Sequence, residues 1–98
     1  MIASFGDRAT SDLYHGERTR RIRAFPSDIL PGAVRKLDML NAAQALPDLR
    51  SPPGNRLEAL RGEWRGFHSI RVNEQWRVVF RWSEGAVHDV QLLDYHRG

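Results

Sequence analysis

An arginine in the middle of an apolar strand needs a reason to be there. Arg77 stands in the run Trp76-Arg77-Val78-Val79-Phe80-Arg81-Trp82, where alternation sets Trp76, Val78, Phe80 and Trp82 on one face and Arg77, Val79 and Arg81 on the other. A guanidinium on an open sheet face can bind a phosphate or stabilise charge developing on one during transfer. It can equally serve a cross-strand ion pair with Glu58, Glu84 or Asp89, and the pattern leaves both open. The chain closes with Asp94-Tyr95-His96-Arg97-Gly98, directly after an apolar strand. Histidine titrates near pH 6.5 and suits proton transfer; tyrosine stacks on a base or donates a proton. Both also occur as plain surface residues at a chain end.

Several chemistries have no residues to carry them. There is no cysteine, no Gly-rich phosphate loop and no serine in a Gly-x-Ser-x-Gly turn, which argues against acyl transfer and nucleotide hydrolysis. His15, His68 and His88 lack neighbours at ligand spacing, so no metal and no cofactor is expected. Lys36 is the only lysine among fifteen basic residues, and the formal net charge is +3. An arginine-dominated inventory suits phosphate, because the planar fork pairs with it bidentately, although GC-rich coding gives the same bias. No stretch forms a basic tail, so a phosphate-binding surface has to be assembled by folding.

The elements that would position these residues divide at Pro52-Pro53-Gly54-Asn55, with helices before and strands after. Ile2 to Phe5 reads as a short edge strand and Asp7 to His15 as a brief helix closed by Gly16. The cluster Arg18-Thr19-Arg20-Arg21-Ile22-Arg23 reads as a solvated turn. Ala33, Val34, Leu37, Leu40 and Ala43 recur at helical spacing and predict an amphipathic helix over 31–46. Strands follow at 56–60, at His68 to Val72, at Trp76 to Trp82 and at Val87 to Tyr95, joined by turns at Asn73-Glu74-Gln75 and Ser83-Glu84-Gly85. That is an antiparallel meander with helices on its apolar face, an α+β domain spanning 1–98. Of the three tryptophans, Trp64 between Gly62 and Gly66 is expected to be the most exposed. The first twenty residues lack a long apolar stretch, which predicts a cytosolic chain with no membrane contact.

The ordered series Pro52-Pro53-Gly54-Asn55-Arg56-Leu57-Glu58-Ala59-Leu60-Arg61-Gly62, then Gly66 to Phe80 with its Asn73-x-x-Trp76-Arg77 hairpin, then Asp94-Tyr95-His96, resembles the HigB-type toxins of the RelE/ParE superfamily, and the run from Pro52 to Leu57 resembles their GraT-like branch. The resemblance implies a RelE-like, microbial-ribonuclease-like fold, with two N-terminal helices packed on a twisted, mainly antiparallel sheet. It implies a type II toxin that cleaves messenger RNA on the ribosome without metal, the substrate's own 2′-hydroxyl attacking the adjacent phosphate. Carried over by position, Arg77 would stabilise phosphate charge, Arg61 would neutralise or orient the backbone, and Tyr95 with His96 would move protons or stack. Arg56, Arg61, Arg71, Arg77 and Arg81 would bind RNA. Glu58 falls where some relatives have a histidine, and it reads either as a base or as a structural partner of Arg61 or Arg77. The implied partners are a HigA-like helix-turn-helix antitoxin, the small ribosomal subunit with its mRNA, and operator DNA only through the antitoxin complex. Two other functions fit the pattern: a ParE-like, non-enzymatic inhibitor of DNA gyrase, and a bare RNA-binding module.

Overall fold

In a computed structural model that describes residues 1–95, two helices cover one face of a four-stranded antiparallel sheet. Helix α1 is Arg8–Tyr14 and α2 is Leu30–Ala42; strands β1 (Glu58–Ala59), β2 (His68–Arg71), β3 (Trp76–Ser83) and β4 (Ala86–Asp94) pair in chain order. Ile2 and Phe5 bridge in parallel to Val87 and Val90 and extend the sheet beyond β4, as the expected edge segment. Among the described residues, none of the helices is long and apolar enough to cross a membrane.

Helix α1 begins where the Asp7 carboxylate accepts the Thr10 amide at 2.7 Å. It ends at Gly16, whose φ of +70° lets the amides of Gly16 and Glu17 reach back to the carbonyls of Leu13 and Asp12. The helix docks on β4 through Thr10, whose buried hydroxyl accepts the Leu92 amide at 2.9 Å. Helix α2 buries Ala33, Leu37 and Leu40 but stops four residues short of the expected Leu46. Ala43 turns extended, and the amides of Gln44 and Ala45 both donate to the Asp48 carboxylate at 3.0 Å. A separate 3-10 turn over Leu46–Arg50 follows instead.

The core lies between the helices and one sheet face, with Leu37, Leu40, Ile70, Val78, Phe80, Val87 and Val90 fully enclosed. Strand β4 departs from simple alternation to supply it. The register shifts by one residue between Val79 and Arg81, and Asp89 takes φ +53°, a bulge that sends Val87, Val90 and Leu92 all inward. The amide of Asp89 is taken up by the Ser4 hydroxyl at 2.9 Å. Gly6 runs so close to Gln91 that a Cβ would lie 2.5 Å from its side chain.

Strand β1 is shorter than the expected 56–60, because Arg56 closes the Pro53–Asn55 turn in the left-handed region at φ +46°. Pairing resumes outside it, where the Leu60 amide donates to the Phe67 carbonyl at 2.9 Å. Fully buried Asn55 anchors the break: it accepts from Lys36 on α2 and donates to the Leu49 carbonyl at 3.1 Å. Trp64 is half-buried and packs edge-on against Phe67 rather than standing free.

The arginine cluster forms a turn with its arginines exposed, as expected, and Arg20–Ala24 within it is a 3-10 helix. Buried Asp12 secures it by accepting from the Thr19 hydroxyl at 2.6 Å and from Arg21 Nε at 2.8 Å. The Thr19 hydrogen bond foremost, and then Arg21, hold the Asp12 carboxyl below the usual carboxylate range. A lowered folded-state pKa gives stability that is present above the unfolded value near 3.8 and lost as pH falls through the folded one. Asp12→Asn is therefore expected to flatten the acid limb: between pH 5 and pH 2, approximate bounds set by this linkage, its thermal midpoint should drop less than the parent's. Parallel acid limbs in the two melting series would show that Asp12 does not carry this linkage.

Candidate active site on the open sheet face

The sheet face turned away from the helices carries Glu58 from β1, Ser69 and Arg71 from β2, Arg77, Val79 and Arg81 from β3, and Gln91 and Leu93 from β4, as the pairings Glu58↔Ser69, Ser69↔Val79, Arg71↔Arg77 and Arg77↔Leu93 require. Tyr95 continues that face, its amide donating to the Gln75 carbonyl at 3.1 Å.

Arg77 is the fixed point. Its Nε donates to the Ser69 hydroxyl at 2.7 Å, and its Nη2 donates to the Arg56 carbonyl at 2.7 Å. The same Nη2 stands 3.6 Å from Glu58 Oε1. Of the three ion-pair partners open to the sequence, the structure selects Glu58. The left-handed turn at Arg56 aims its carbonyl at the guanidinium, and fully buried Ser69 holds the other edge. The Arg77 side chain is only 12% exposed, so its charge is held in place by several groups rather than free to sweep through solvent.

Two hollows flank this group and share Glu58. One, of about 400 Å³, is lined by Arg56, Leu57, Glu58, Arg71, Glu74 and Arg77. The other, of about 360 Å³, is lined by Glu58, Ala59, Leu60, Arg61 and Tyr95. Cations, a carboxylate and a phenol therefore surround a space that a phosphodiester can enter, with groups able to bind its charge and to move protons.

The family model for HigB-like toxin, described as the RelE-like toxin of the type II toxin–antitoxin system HigB, matches residues 3–96. Toxin HigB-1 of Vibrio cholerae is 44% identical over 97 residues, spanning 99% of both chains. The chain belongs to the HigB-like toxin family. Its fold is the RelE-like one: a chain of a YoeB–YefM complex from Staphylococcus aureus aligns with TM-score 0.59 at 12% identity over 99% of each chain. YafQ from E. coli aligns with TM-score 0.55 at 13% identity, covering 96% of this chain and 93% of that one. A type II toxin has an antitoxin as its partner.

Within this HigB-like toxin the expected site residues separate into two groups. Arg56, Glu58, Arg61, Arg71, Arg77 and Tyr95 converge on the paired hollows. Arg71 is partly engaged by Glu74 at 3.7 Å. Arg81 lies elsewhere, four residues along β3 and so about 13 Å away at the rise of a strand. There its Nε donates to Asp89 at 2.8 Å, its guanidinium rests over the Phe67 ring, and it lines another hollow with Arg65 and His88. His96 lies outside the described residues. Of the other histidines, His15 packs beside Phe5 and Tyr14, and His68 stacks on Phe80 where burial pushes its pKa down.

Sequence reasoning missed two supports, the Ser69 hydroxyl and the Arg56 main-chain carbonyl. For Ser69 there was a signal, a small hydroxyl residue on the arginine-bearing face two positions before Arg71. For the Arg56 carbonyl there was none, since the left-handed turn that aims it carries no glycine at that position. The Ser69–Arg77 bond predicts a measurable cost. Ser69→Ala should lower unfolding free energy by about 1–3 kcal/mol, the usual range when a hydrogen bond to a charged group is lost. Urea unfolding checks this, and an unchanged midpoint with unchanged slope would mean that the hydroxyl does not hold the guanidinium.

Proposed function

We propose that this toxin is a ribosome-dependent endoribonuclease that cleaves messenger RNA and so inhibits translation. The observation that carries the reading is Arg77, clamped between Ser69 and the Arg56 carbonyl beside Glu58, at the junction of two hollows that also present Arg61 and Tyr95. In this reading the 2′-hydroxyl of the substrate attacks the adjacent phosphorus. Glu58 takes the hydroxyl proton, the P–O5′ bond breaks, and the leaving 5′-oxygen receives a proton from Tyr95 or His96. The products are a 2′,3′-cyclic phosphate and a 5′-hydroxyl end. Arg77 opposes the extra negative charge of the pentacoordinate phosphorane, and Arg61 and Arg71 hold the backbone on either side. Because the nucleophile belongs to the substrate, the protein has only to align, neutralise and relay protons.

The ribosome supplies the aligned message and the toxin acts in its decoding site. The antitoxin carries a helix-turn-helix domain, is encoded beside the toxin, and brings the toxin to operator DNA only as part of their complex. The toxin acts in the cytoplasm.

Arg77→Ala is expected to reduce cleavage of ribosome-bound message by about 10²–10³-fold, the usual effect of removing a preorganised charge-stabilising donor. It should also cost about 1–3 kcal/mol of stability, because Ser69 and the Arg56 carbonyl lose their charged partner. Primer-extension mapping on purified ribosomes, with urea unfolding of the same variants, separates the two effects. Cleavage at the parental rate by folded Arg77→Ala protein would overturn the assignment. Growth arrest by the parent with intact messages and blocked gyrase would overturn the nuclease reading itself.

A further inference from the structure

The turn between β2 and β3 holds the end of β4, and it does so through one residue. The pairing of β3 with β4 ends at Trp76 and Asp94, so Tyr95 lies just beyond the ladder. Its amide donates to the Gln75 carbonyl at 3.1 Å. The Gln75 side chain supplies a second hold, Nε2 donating to Asp94 Oδ2 at 2.8 Å. A main-chain carbonyl and a side-chain amide of the same residue therefore grip successive residues of the strand end.

Gln75 is itself fixed from behind. The Asn73 side-chain oxygen accepts the amides of Gln75 at 2.8 Å and Trp76 at 2.7 Å, an Asx turn that sets the direction of the Gln75 backbone. The amides of Val72 and Asn73 both donate to the Trp76 carbonyl and close the hairpin. The side chains involved do not serve the core: Asn73, Gln75 and Asp94 are all exposed, and an exposed hydrogen bond between side chains adds little stability. Nor does Gln75 line either hollow beside Arg77, whereas Tyr95 lines the one that also holds Glu58 and Arg61. What the turn accomplishes is to fix where the Tyr95 backbone leaves β4, and with it the point from which the phenol is presented to the open face.

We propose that Gln75 is a positioning residue for Tyr95, holding the end of β4 so that the phenol meets the leaving oxygen in the hollow beside Arg61. The inference rests on the nuclease reading, with Tyr95 as the group that passes the proton. Glutamine suits the task because a neutral donor at this position pairs with the Asp94 carboxylate, whereas a glutamate would repel it. A reacting group displaced by about 1 Å can lose about 10²-fold in rate, so losing an exposed bond that hardly affects folding can still slow the proton transfer.

The test is single-turnover cleavage of ribosome-bound message over a range of toxin concentrations, which separates the maximal rate from the concentration that gives half of it. Gln75→Ala and Gln75→Glu should each lower the maximal rate by about 10-fold, within what misplacement of a reacting group allows. The half-saturating concentration should stay within about twofold and the melting midpoint within about 3 °C, because the core and the arginines that hold the message are untouched. In an Asp94→Asn background, Gln75→Glu should cost less than about twofold, since an asparagine amide can donate to the introduced carboxylate. In a Tyr95→Phe background, Gln75→Ala should add less than about twofold, because its effect runs through the phenol and the two losses do not sum. Gln75→Ala at the parental maximal rate would overturn the inference and leave the nuclease reading standing. Equal slowing by Gln75→Ala with and without the Tyr95 hydroxyl would do the same, as the residue would then act on something else. Parental toxin that leaves ribosome-bound messages intact would remove the nuclease reading, and the inference with it.

Discussion

The guanidinium of Arg77 joins parts of the chain that have little else in common. Through Ser69 it ties β3 to β2, through the Arg56 carbonyl it ties the sheet to the Pro-Pro-Gly-Asn break, and through Glu58 it reaches the edge strand. Each contact answers a need on both sides. Buried Ser69 has a hydroxyl to satisfy, and the Arg56 carbonyl, turned by a left-handed residue, points away from any strand ladder. A charge with two direct hydrogen bonds and a nearby carboxylate sits still, and a stationary charge is what electrostatic stabilisation of a transition state requires. The alternatives weighed for Arg77, ion pair or phosphate binder, are therefore not opposed: the ion pair with Glu58 helps to set the geometry in which a phosphate could be met.

The open face exists because the opposite face is filled, and the filling depends on the bulge in β4. With regular alternation from Val87, the inward positions would be Val87, Asp89, Gln91 and Leu93, and two polar side chains would enter the core. Adding one residue at Asp89 turns Val90 and Leu92 inward and leaves Gln91, Leu93 and Tyr95 on the other face beside Arg77. The cost of a left-handed aspartate is offset locally, since its amide meets Ser4 and its carboxylate meets Arg81. That second contact also explains why Arg81, though on the same strand face as Arg77, is engaged at the far end of the sheet.

What could be read in advance follows from which forces act over a few residues. The period-two runs in β2 and β3, the turns between them, the cap at Asp7 and the glycine at position 16 are local signals, and the meander with two helices on its apolar face follows from them. The convergence of Glu58, Arg61, Arg77 and Tyr95 was legible through the resemblance of their spacing to a family, not through any short-range rule. Three features escaped for different reasons: a short-range capture, a left-handed turn without glycine, and a contact made at a distance. Helix α2 ends early when Asp48 captures the amides of Gln44 and Ala45; Arg56 turns left-handed without a glycine to announce it; and the bulge at Asp89 is imposed by core volume and by Ser4, eighty-five residues away. The anchor of the arginine turn escaped likewise, since it is Asp12 on a different element.

Rigidity is unevenly distributed around the site, and this bears on how the proposed reaction could be run. Arg77 projects from β3, which is paired on both sides there, with Arg71 and with Leu93, and it is secured by named bonds. Glu58 projects from a strand of two residues at the sheet edge, and Tyr95 follows the last residue of β4, held to the sheet by its amide to Gln75. A charge-stabilising group is thus preorganised while the candidate proton-transfer groups sit on short or terminal segments. Misplacing a reacting group by about 1 Å can cost about 10²-fold in rate, so such a site is a poor catalyst on a floppy single strand and a better one when the substrate arrives already bent and held. In the proposed reaction a toxin built in this way would gain from leaving alignment to the ribosome: activity would then be confined to messages in the decoding site, and free RNA, which supplies no alignment of its own, would be largely spared.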